Sequence, residues 1–440
     1  MKKLIMTFAA VAAFGSVFAQ NAAAPAPEAT SQEKCAIEEK DVDAMMDEYI
    51  SSKGWVEGLN TKADGSKFFI AKGSGVIQAP KNSQSYIDSR VNAFNKAMLE
   101  AKKAMVEYLG VDIATDTAKE YAEGSAVNPP PPANAEEALV QELADKGKKL
   151  LLAKINAELE KQGIDPAKDP AAAKAALGKQ LNSEKYRKMI TSIARAKVLG
   201  LQACCTFEGT PANGKGEIGV VAIWSPKLQA MANSLVTGAP VPQVGAKRPI
   251  AHQISNDPAT LISTFGVQQK IDETGDLVLV GFGQAGAISD SKMSGKAAQT
   301  KARQNAMAAI REFAGEQVAV ATDTLNAETT EEFEKGAEAY ENESAMKEKI
   351  AATAKKMNIA GIAPLKNYKY RHPINGKTVY GVAVTWCPKQ ANQASWLKRE
   401  MAKPPTPPSA PIAPGRPVQS PTAPSDSFHS SGDGADPDAI

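Results

Sequence analysis

Four residues near the end of the chain combine groups that could bind a ligand: Lys366, Tyr368, Tyr370 and His372. They belong to an aromatic and basic stretch that is predicted to form a strand. Aromatic rings of this kind can stack on bases or sugars. The sequence therefore suggests a ligand or partner patch. The alternative is an ordinary amphipathic hairpin face, because tyrosines are common in strands.

The cysteines Cys35, Cys204, Cys205 and Cys387 form an even set, which in an exported protein permits one or two disulfides. Neighbouring strand residues face opposite ways, so Cys205 should lie on the core face and Cys204 should point away from it. Cys387 replaces Ser225, a good helix cap, in an otherwise repeated segment. This suggests a disulfide from Cys387 to Cys204 or Cys35, with reduced, packed thiols as the alternative.

A nucleotide-binding loop is the third candidate, because the stretch from Gly281 to Gly286 fits the pattern G-x-G-x-x-G after a predicted strand. The next helix is expected to begin only near Lys292, and no second strand with an acidic end follows. We interpret these glycines as strand-end residues and expect no cofactor. The three histidines stand at no metal-ligand spacing with a cysteine, so no metal is expected, and no catalytic set can be assembled.

The elements that would position these residues occur twice. Gly219 to Lys227 returns as Gly381 to Lys389, and the helical segment 93–110 matches 298–315 without a gap. An Asn-Gly turn precedes the conserved strand in both halves and predicts a hairpin. We predict an α+β protein of two tandem repeats, each a long helix on a small, about three-stranded sheet, with a C-terminal hairpin and helix.

The ends and the linkers differ in composition from the repeats. Lys2 and Lys3 followed by an apolar run to Phe18 predict a signal peptide. The predicted organisation is a signal peptide at 1–19, a flexible tether at 20–42, repeat 1 at 43–235 with a helical insertion (the arm) at 125–181, a linker at 236–255, repeat 2 at 256–402, and a disordered Pro/Ser-rich tail at 403–440.

The charge balance limits the classes of partner. Without Lys2 and Lys3 the chain carries as many basic as acidic residues, so the positive surplus that drives sequence-independent nucleic-acid binding is absent. We expect no nucleic-acid partner. No later segment reaches the roughly 18 apolar residues of a membrane span, so we also expect no transmembrane segment.

A strand that ends in small residues, an Ala-rich helix carrying Ala302, Arg303 and Ala306, and a late hairpin together resemble the surface-antigen lipoprotein-like domains of bacterial outer membranes. The pattern is also similar to that of uncharacterised exported bacterial proteins. This resemblance implies an envelope protein with an α+β domain and without assigned catalytic residues.

The sequence thus favours a non-enzymatic accessory or interaction module, exported to the periplasm or the cell surface, with an envelope protein as its probable partner. The arm, the paired sheets, or both would provide the contact. Two alternatives stay open. The first is a small-ligand-binding protein or enzyme whose site lies between the repeats and uses Tyr368, Tyr370 and His372. The second is a structural subunit of a surface assembly.

Overall fold

The computed structural model describes residues 37–123, 135–165, 168–181, 183–210, 214–237, 248–326, 343–357, 359, 361–389 and 391. The predicted signal peptide, the Pro/Ser-rich tail, Cys35, most of the tether and half of the linker lie outside these residues. So do residues 125–134 of the predicted arm and residues 392–402, where most of the C-terminal helix of repeat 2 is predicted. Within the described ranges, no helix combines the length and the apolar character that crossing a bilayer requires.

Repeat 1 begins with helix α1 (Val42–Ser52), where the Asp41 side chain accepts from the first backbone N–H groups. Strands β1 (Gly58–Thr61) and β2 (Lys67–Val76) follow, and then the long helix α2 (Tyr86–Glu123). The repeat continues with α3 (Ala135–Lys161), α4 (Pro170–Leu181), α5 (Glu184–Lys197), β3 (Gln202–Gly209), β4 (Glu217–Trp224) and α6 (Pro226–Thr237). The Ser225 hydroxyl accepts from the Leu228 N–H, as expected of an N-cap.

Repeat 2 opens, after a short 3₁₀ turn at Ile250–Gln253, with the single-turn helix α7 (Pro258–Leu261). The order of strands and the long helix then returns, with one helix described between the long helix and the hairpin where repeat 1 has three. Its members are β5 (Gly266–Ile271), β6 (Leu277–Gly286), α8 (Lys292–Asn326), α9 (Glu343–Lys356), β7 (Ala363–Arg371) and β8 (Thr378–Trp386).

Each repeat contains one antiparallel sheet of four strands, ordered β1-β2-β4-β3 in repeat 1 and β5-β6-β8-β7 in repeat 2. The α+β class and the two similar halves are confirmed, but the expectation of about three strands was wrong. The additional strands, β1 and β5, are short, and each lies close to a turn, which leaves little apolar alternation to recognise in the sequence.

The glycine-rich segment of repeat 2 forms the second half of a strand, which is longer than the sequence predicts. Residues 281–286 continue β6 and pair with β8 along its length. A Cβ on Gly283 would come within 2.1 Å of the Ala302 carbonyl oxygen, and a Cβ on Gly73 would come as close to that of Ala97. The same close approach of helix to strand therefore occurs in both repeats, and glycine is needed for packing.

Helix α2 packs against both sheets. On one side Ala93 and Ala97 meet the glycines of β2. On the other side the Phe94 ring stacks on Phe265 of repeat 2, with 5.1 Å between ring centroids, and Ile87 meets Gly286 of β6. The halves are thus joined through α2, which contributes to the apolar cluster shared by both repeats.

The arm packs on its own repeat. The apolar side chains Leu151, Ile155 and Leu159 of α3 are fully buried in a cluster with residues of α2 and α5. At the contact with α5, a Cβ on Gly147 would lie 2.9 Å from Ile193. The apolar stripe of the arm is therefore part of the core and does not face solvent.

A β-bulge in β3 changes the expected side-chain directions of the two adjacent cysteines. The register between β3 and β4 shifts between Ala203 and Cys205, so the simple alternation ends there. Cys205 is buried in the cluster that also contains Phe207, and the half-buried Cys204 packs against that same cluster. The prediction that Cys204 points away from the core was wrong for this reason.

Candidate functional site

The structure separates the four residues of the predicted patch. His372 and Tyr368 are buried, whereas Tyr370 is exposed. The Lys366 ammonium donates to the Ser255 carbonyl oxygen at 3.0 Å and also contacts the side chain of Asn256. The four side chains therefore do not form one accessible surface.

Tyr368 serves as a packing residue. It stands opposite Gly381 in the β7–β8 register, and its ring occupies the space that a Cβ on Gly381 would need. Burial raises the pKa of its hydroxyl above the ordinary tyrosine range, so this group stays protonated. A ring covered in this way cannot stack on a base or a sugar.

His372, in contrast, belongs to a buried polar cluster that joins the two repeats and centres on Glu208, at the end of β3. Three side chains bind the Glu208 carboxylate. Arg90 donates from Nε to Oε2 at 2.6 Å, Tyr86 donates from its hydroxyl to Oε1 at 2.9 Å, and His372 Nε2 lies 3.0 Å from Oε2. Arg90 and Tyr86 come from α2, whereas His372 follows β7 in repeat 2.

The guanidinium of Arg90 is satisfied on its remaining sides by repeat 2. Its Nη1 donates to Gln284 Oε1 at 3.0 Å, and its Nη2 donates to the Ile262 carbonyl oxygen at 3.1 Å. The Phe265 ring lies 5.2 Å from the guanidinium carbon. Arg90 is fully buried, so these contacts replace the water that its charge would otherwise hold.

The hydrogen bonds of His372 assign its protons. The backbone N–H of Asn375 lies 3.4 Å from Nδ1, which therefore acts as an acceptor, so Nε2 carries the hydrogen and donates it to Glu208. Burial lowers the pKa of His372, and the neighbouring Arg90 charge lowers it further. The imidazole is therefore neutral at neutral pH.

The Glu208 carboxylate is charged. Burial on its own would raise the pKa of Glu208, but the Arg90 charge and the His372 hydrogen bond outweigh it and lower the pKa to about 2. A carboxylate with so low a pKa is a poor general acid or base near pH 7. Because Glu208 is also buried, the geometry suits a structural ion network better than a reactive centre.

The cluster is not duplicated, although the fold is. By the matching of the two halves, Gly295 stands where repeat 1 has Arg90, and Lys369 stands where it has Glu208. A Cβ on Gly295 would lie 2.5 Å from the Tyr380 hydroxyl, so a longer side chain at that position would require the Tyr380 side chain to move. Sequence reasoning missed Arg90, Glu208 and Gln284. The signal that could have found them is this divergence between otherwise matching positions.

The cysteines form no disulfide at Cys387, which is buried as a free thiol. The suggested bridge from Cys387 to Cys204 is therefore absent from the structure, and Cys35, the other suggested partner, lies outside the described residues. Cys204 Sγ instead lies 3.7 Å from the Tyr49 hydroxyl. Among the described residues, no group of three or more His, Cys, Asp or Glu side chains is arranged to hold a metal ion.

An apolar surface lies at the β1 edge of the repeat 1 sheet. Leu59 of β1 stands opposite Phe69, whose ring contacts Tyr108 of α2 at 5.0 Å between centroids. One turn further along α2 is Val111. About half of each side chain is accessible to solvent at Leu59, Tyr108 and Val111, and the same holds for Val56, just before β1. We call these four residues the β1 surface.

Comparison with known proteins gives two matches. A family model described as a domain of unknown function (DUF6844) matches residues 140–237, which extend from α3 of the arm to the end of α6. A crystal structure of a hypothetical protein from Francisella tularensis is similar with a TM-score of 0.47 and 17% identity, over 78% of this chain and 89% of that chain. No curated protein matches the chain.

Proposed function

We propose that this protein is a non-enzymatic accessory module of the bacterial cell envelope, exported to the periplasm or the cell surface, that binds an envelope protein. The observation that carries the proposal is the β1 surface. Its members Leu59, Tyr108 and Val111 are large apolar side chains that the fold leaves about half accessible. Groups of exposed apolar residues often mark interaction sites.

The position of β1 supports the same proposal. This strand is at the end of the order β1-β2-β4-β3, so its outer edge has no neighbouring strand among the described residues. An edge of this kind can accept an extended segment of a partner, whose backbone pairs with it and whose side chains reach apolar neighbours such as Leu59.

The buried cluster supports a role other than catalysis. His372 is the only histidine near a charged carboxylate in the described residues, and its Nε2 hydrogen is used by Glu208. The side chains that would have to act on a substrate hold the repeats together instead. The apolar side chains Leu151, Ile155 and Leu159 of the arm are buried and so are not available to a partner.

Photocrosslinking in the native cell tests the proposal. A photoreactive residue at Leu59 or Val111 should capture one and the same envelope protein. The matched control is Glu273, an exposed residue in the β5–β6 turn of repeat 2, which should capture nothing above background. Adding Leu59→Asp should abolish capture from Val111, because a charge at this surface opposes apolar contact.

Cell fractionation on the same samples tests the location. The protein should be recovered outside the cytoplasm. Equal capture from Leu59, Val111 and Glu273, or recovery of the protein in the cytoplasm, would contradict the proposal.

A further inference from the structure

The two most exposed large apolar side chains of the described residues are Ile288 and Met293, with 81% and 82% of their surface accessible. They flank the connection between β6 and α8, at the point where the helix begins. Single exposed aliphatic residues are normal on protein surfaces. Two almost fully exposed ones at the same short connection are unusual. We call the segment from Ile288 to Lys296 the α8 tip.

The α8 tip is held by its own hydrogen bonds. The Ser289 N–H donates to the Ser294 hydroxyl at 3.0 Å, and the Ser294 N–H donates to the Ser291 hydroxyl at 3.1 Å. The Ser289 and Ser291 hydroxyls also lie 3.1 Å apart. These bonds fix the connection in one conformation, so the exposure of Ile288 and Met293 is built into the fold.

The helix behind the tip is basic. Over residues 292–311, α8 has five basic side chains and no acidic one, and the tip carries one exposed acidic side chain, Asp290, just before the helix. Spacings of four and seven residues place Lys292, Lys296 and Arg303 on one helix face, and all three are exposed. None of these three forms an ion pair within the described part of the chain, whereas Lys301, on another face, binds Asp88 at 2.7 Å. The helix N-terminus adds a partial positive charge at the tip.

We propose that the α8 tip docks on an anionic lipid surface. Ile288 and Met293 enter the boundary between headgroups and acyl chains, and Lys292 and Lys296 contact the headgroup phosphates. Charge complementarity selects this occupant, because the basic face of α8 has its natural counterpart in a surface of closely spaced anions. A purely apolar protein pocket would leave the charges of Lys292, Lys296 and Arg303 without partners.

The corresponding connection of repeat 1 lacks these properties. At the positions equivalent to Ile288 and Met293 it carries Gln78 and Asp88. That connection is also longer, because residues 77–85 join β2 to α2 whereas only residues 287–291 join β6 to α8, and the apolar pair is particular to repeat 2. This inference concerns a second face of the molecule and holds whether or not the β1 surface binds a protein.

Vesicle flotation with the chain beginning at Gln20, the predicted mature start, tests the inference. The apolar run from Leu4 to Phe18 is then absent and cannot itself enter the lipid. Vesicles of phosphatidylcholine alone are compared with vesicles that contain about one third phosphatidylglycerol. We expect binding to the anionic vesicles only, and release at about 0.5 M salt.

Two double variants separate the apolar and the charged contributions. Ile288→Gln with Met293→Gln should weaken binding at least about tenfold, since each side chain then loses its apolar contact with the lipid. Lys292→Gln with Lys296→Gln should weaken it roughly 30-fold, from a loss of about fivefold for each charge. The matched control, Lys67→Gln with Lys96→Gln, removes two exposed lysines elsewhere and should change binding little.

All of these substitutions are at exposed positions, so the thermal midpoint should stay unchanged and confirm folding. Absence of binding to anionic vesicles would overturn the inference. So would equal binding to both vesicle types, or a tip variant that binds as well as the unmodified chain. The result for the β1 surface is read from crosslinking and does not depend on these outcomes.

Discussion

The two repeats share one way of packing a helix on a sheet and differ in what they bury beside it. Gly73 and Gly283 bring β2 and β6 equally close to their helices. Arg90 and Glu208 of repeat 1, however, correspond to Gly295 and Lys369 of repeat 2. The shared glycines allow the long helix to pack closely on the sheet within each repeat, and the charged residues found only in repeat 1 contribute to the contact between the repeats. A duplicated fold has thus gained an interface through positions where its copies no longer match.

The largest effect should come from breaking the unshared ion pair. Glu208→Gln keeps the shape of the side chain but leaves the Arg90 charge buried without its counterion, which should cost about 3–5 kcal/mol of unfolding free energy. Lys369→Gln, at the matching position of repeat 2, should change stability by less than about 0.5 kcal/mol because Lys369 is exposed. Urea unfolding of both variants measures the difference.

Equal effects from these two substitutions would mean that the cluster contributes nothing special to the interface. The double variant Arg90→Met with Glu208→Gln gives a further check. In the double variant the Arg90 charge, which Glu208→Gln alone would leave buried without a counterion, is absent. The loss of unfolding free energy should therefore be much smaller than the sum of the losses of Arg90→Met and Glu208→Gln measured singly.

The second largest loss of stability should be the same in both repeats, because it comes from the close contact between the long helix and the sheet that both repeats contain. Alanine at Gly73 or Gly283 would bring its Cβ within 2.1 Å of a helix carbonyl oxygen, Ala97 in one case and Ala302 in the other. The helix must move away from the sheet to remove this clash, which should lower the unfolding free energy by at least about 1–3 kcal/mol. Thermal unfolding should show similar losses for the two variants, and a loss in only one would contradict equivalent packing.

The sequence was sufficient to predict the duplication, the two hairpins and the Ser225 cap, because each of these depends on neighbouring residues. The continuation of β6 through the glycines at 281–286 is not predicted from the sequence, because glycine weakens a strand unless another element packs closely on it. That element is α8, and its approach depends on tertiary contacts that no local pattern contains.

The buried cluster was harder to predict for a related reason. Arg90 lies in a long helix that also carries exposed charges, and His372 lies next to a predicted turn, so each looks like a surface residue. The packing of α2 on its own sheet brings Arg90 to Glu208, and the docking of repeat 2 adds His372. The bulge at Cys205 changed the predicted directions of the cysteines, since one extra residue ends the alternation from which they were inferred.

The buried cluster around Glu208 should also make the stability of the protein depend on pH. Because the folded state lowers the pKa of His372, the unfolded chain binds a proton that the folded chain does not, once the pH falls below about 6.5. The contribution of His372 to the unfolding free energy is therefore fully present above this pH. Below it the unfolding free energy decreases, by at most about 1.4 kcal/mol per pH unit for this group. Arg90, Glu208 and Tyr86 are the charged or titratable groups that face it.

His372→Gln can still donate a hydrogen bond to Glu208 but does not titrate. This variant should therefore lack the decrease in unfolding free energy that His372 causes below about pH 6.5. A second loss should remain as the pH falls from about 4.5 towards 2, where the depressed pKa of Glu208 lies. Urea unfolding across this pH range measures both. If the slope just below pH 6.5 were the same with and without His372, its assignment as a buried neutral histidine would be wrong.

The smallest effect gives the sharpest comparison, because its sign should differ between matching residues. Gly110 of α2 and Gly315 of α8 occupy equivalent positions in the long helices. A Cβ on Gly110 would make an ordinary 3.7 Å contact with Ile190. A Cβ on Gly315 would lie only 2.8 Å from the Ile350 carbonyl oxygen and 2.9 Å from Ala354.

Gly110→Ala should therefore stabilise the protein by roughly 0.5–1 kcal/mol, the ordinary gain of alanine over glycine inside a helix. Gly315→Ala gains the same propensity but must push α9 away, and since overpacking costs typically about 1–3 kcal/mol, the net change should be a loss. Thermal midpoints of the two variants measured side by side decide the question. If both rose, α9 would yield to the added methyl group, and the close packing of α8 on α9 would be a less strict requirement than that of α8 on β6.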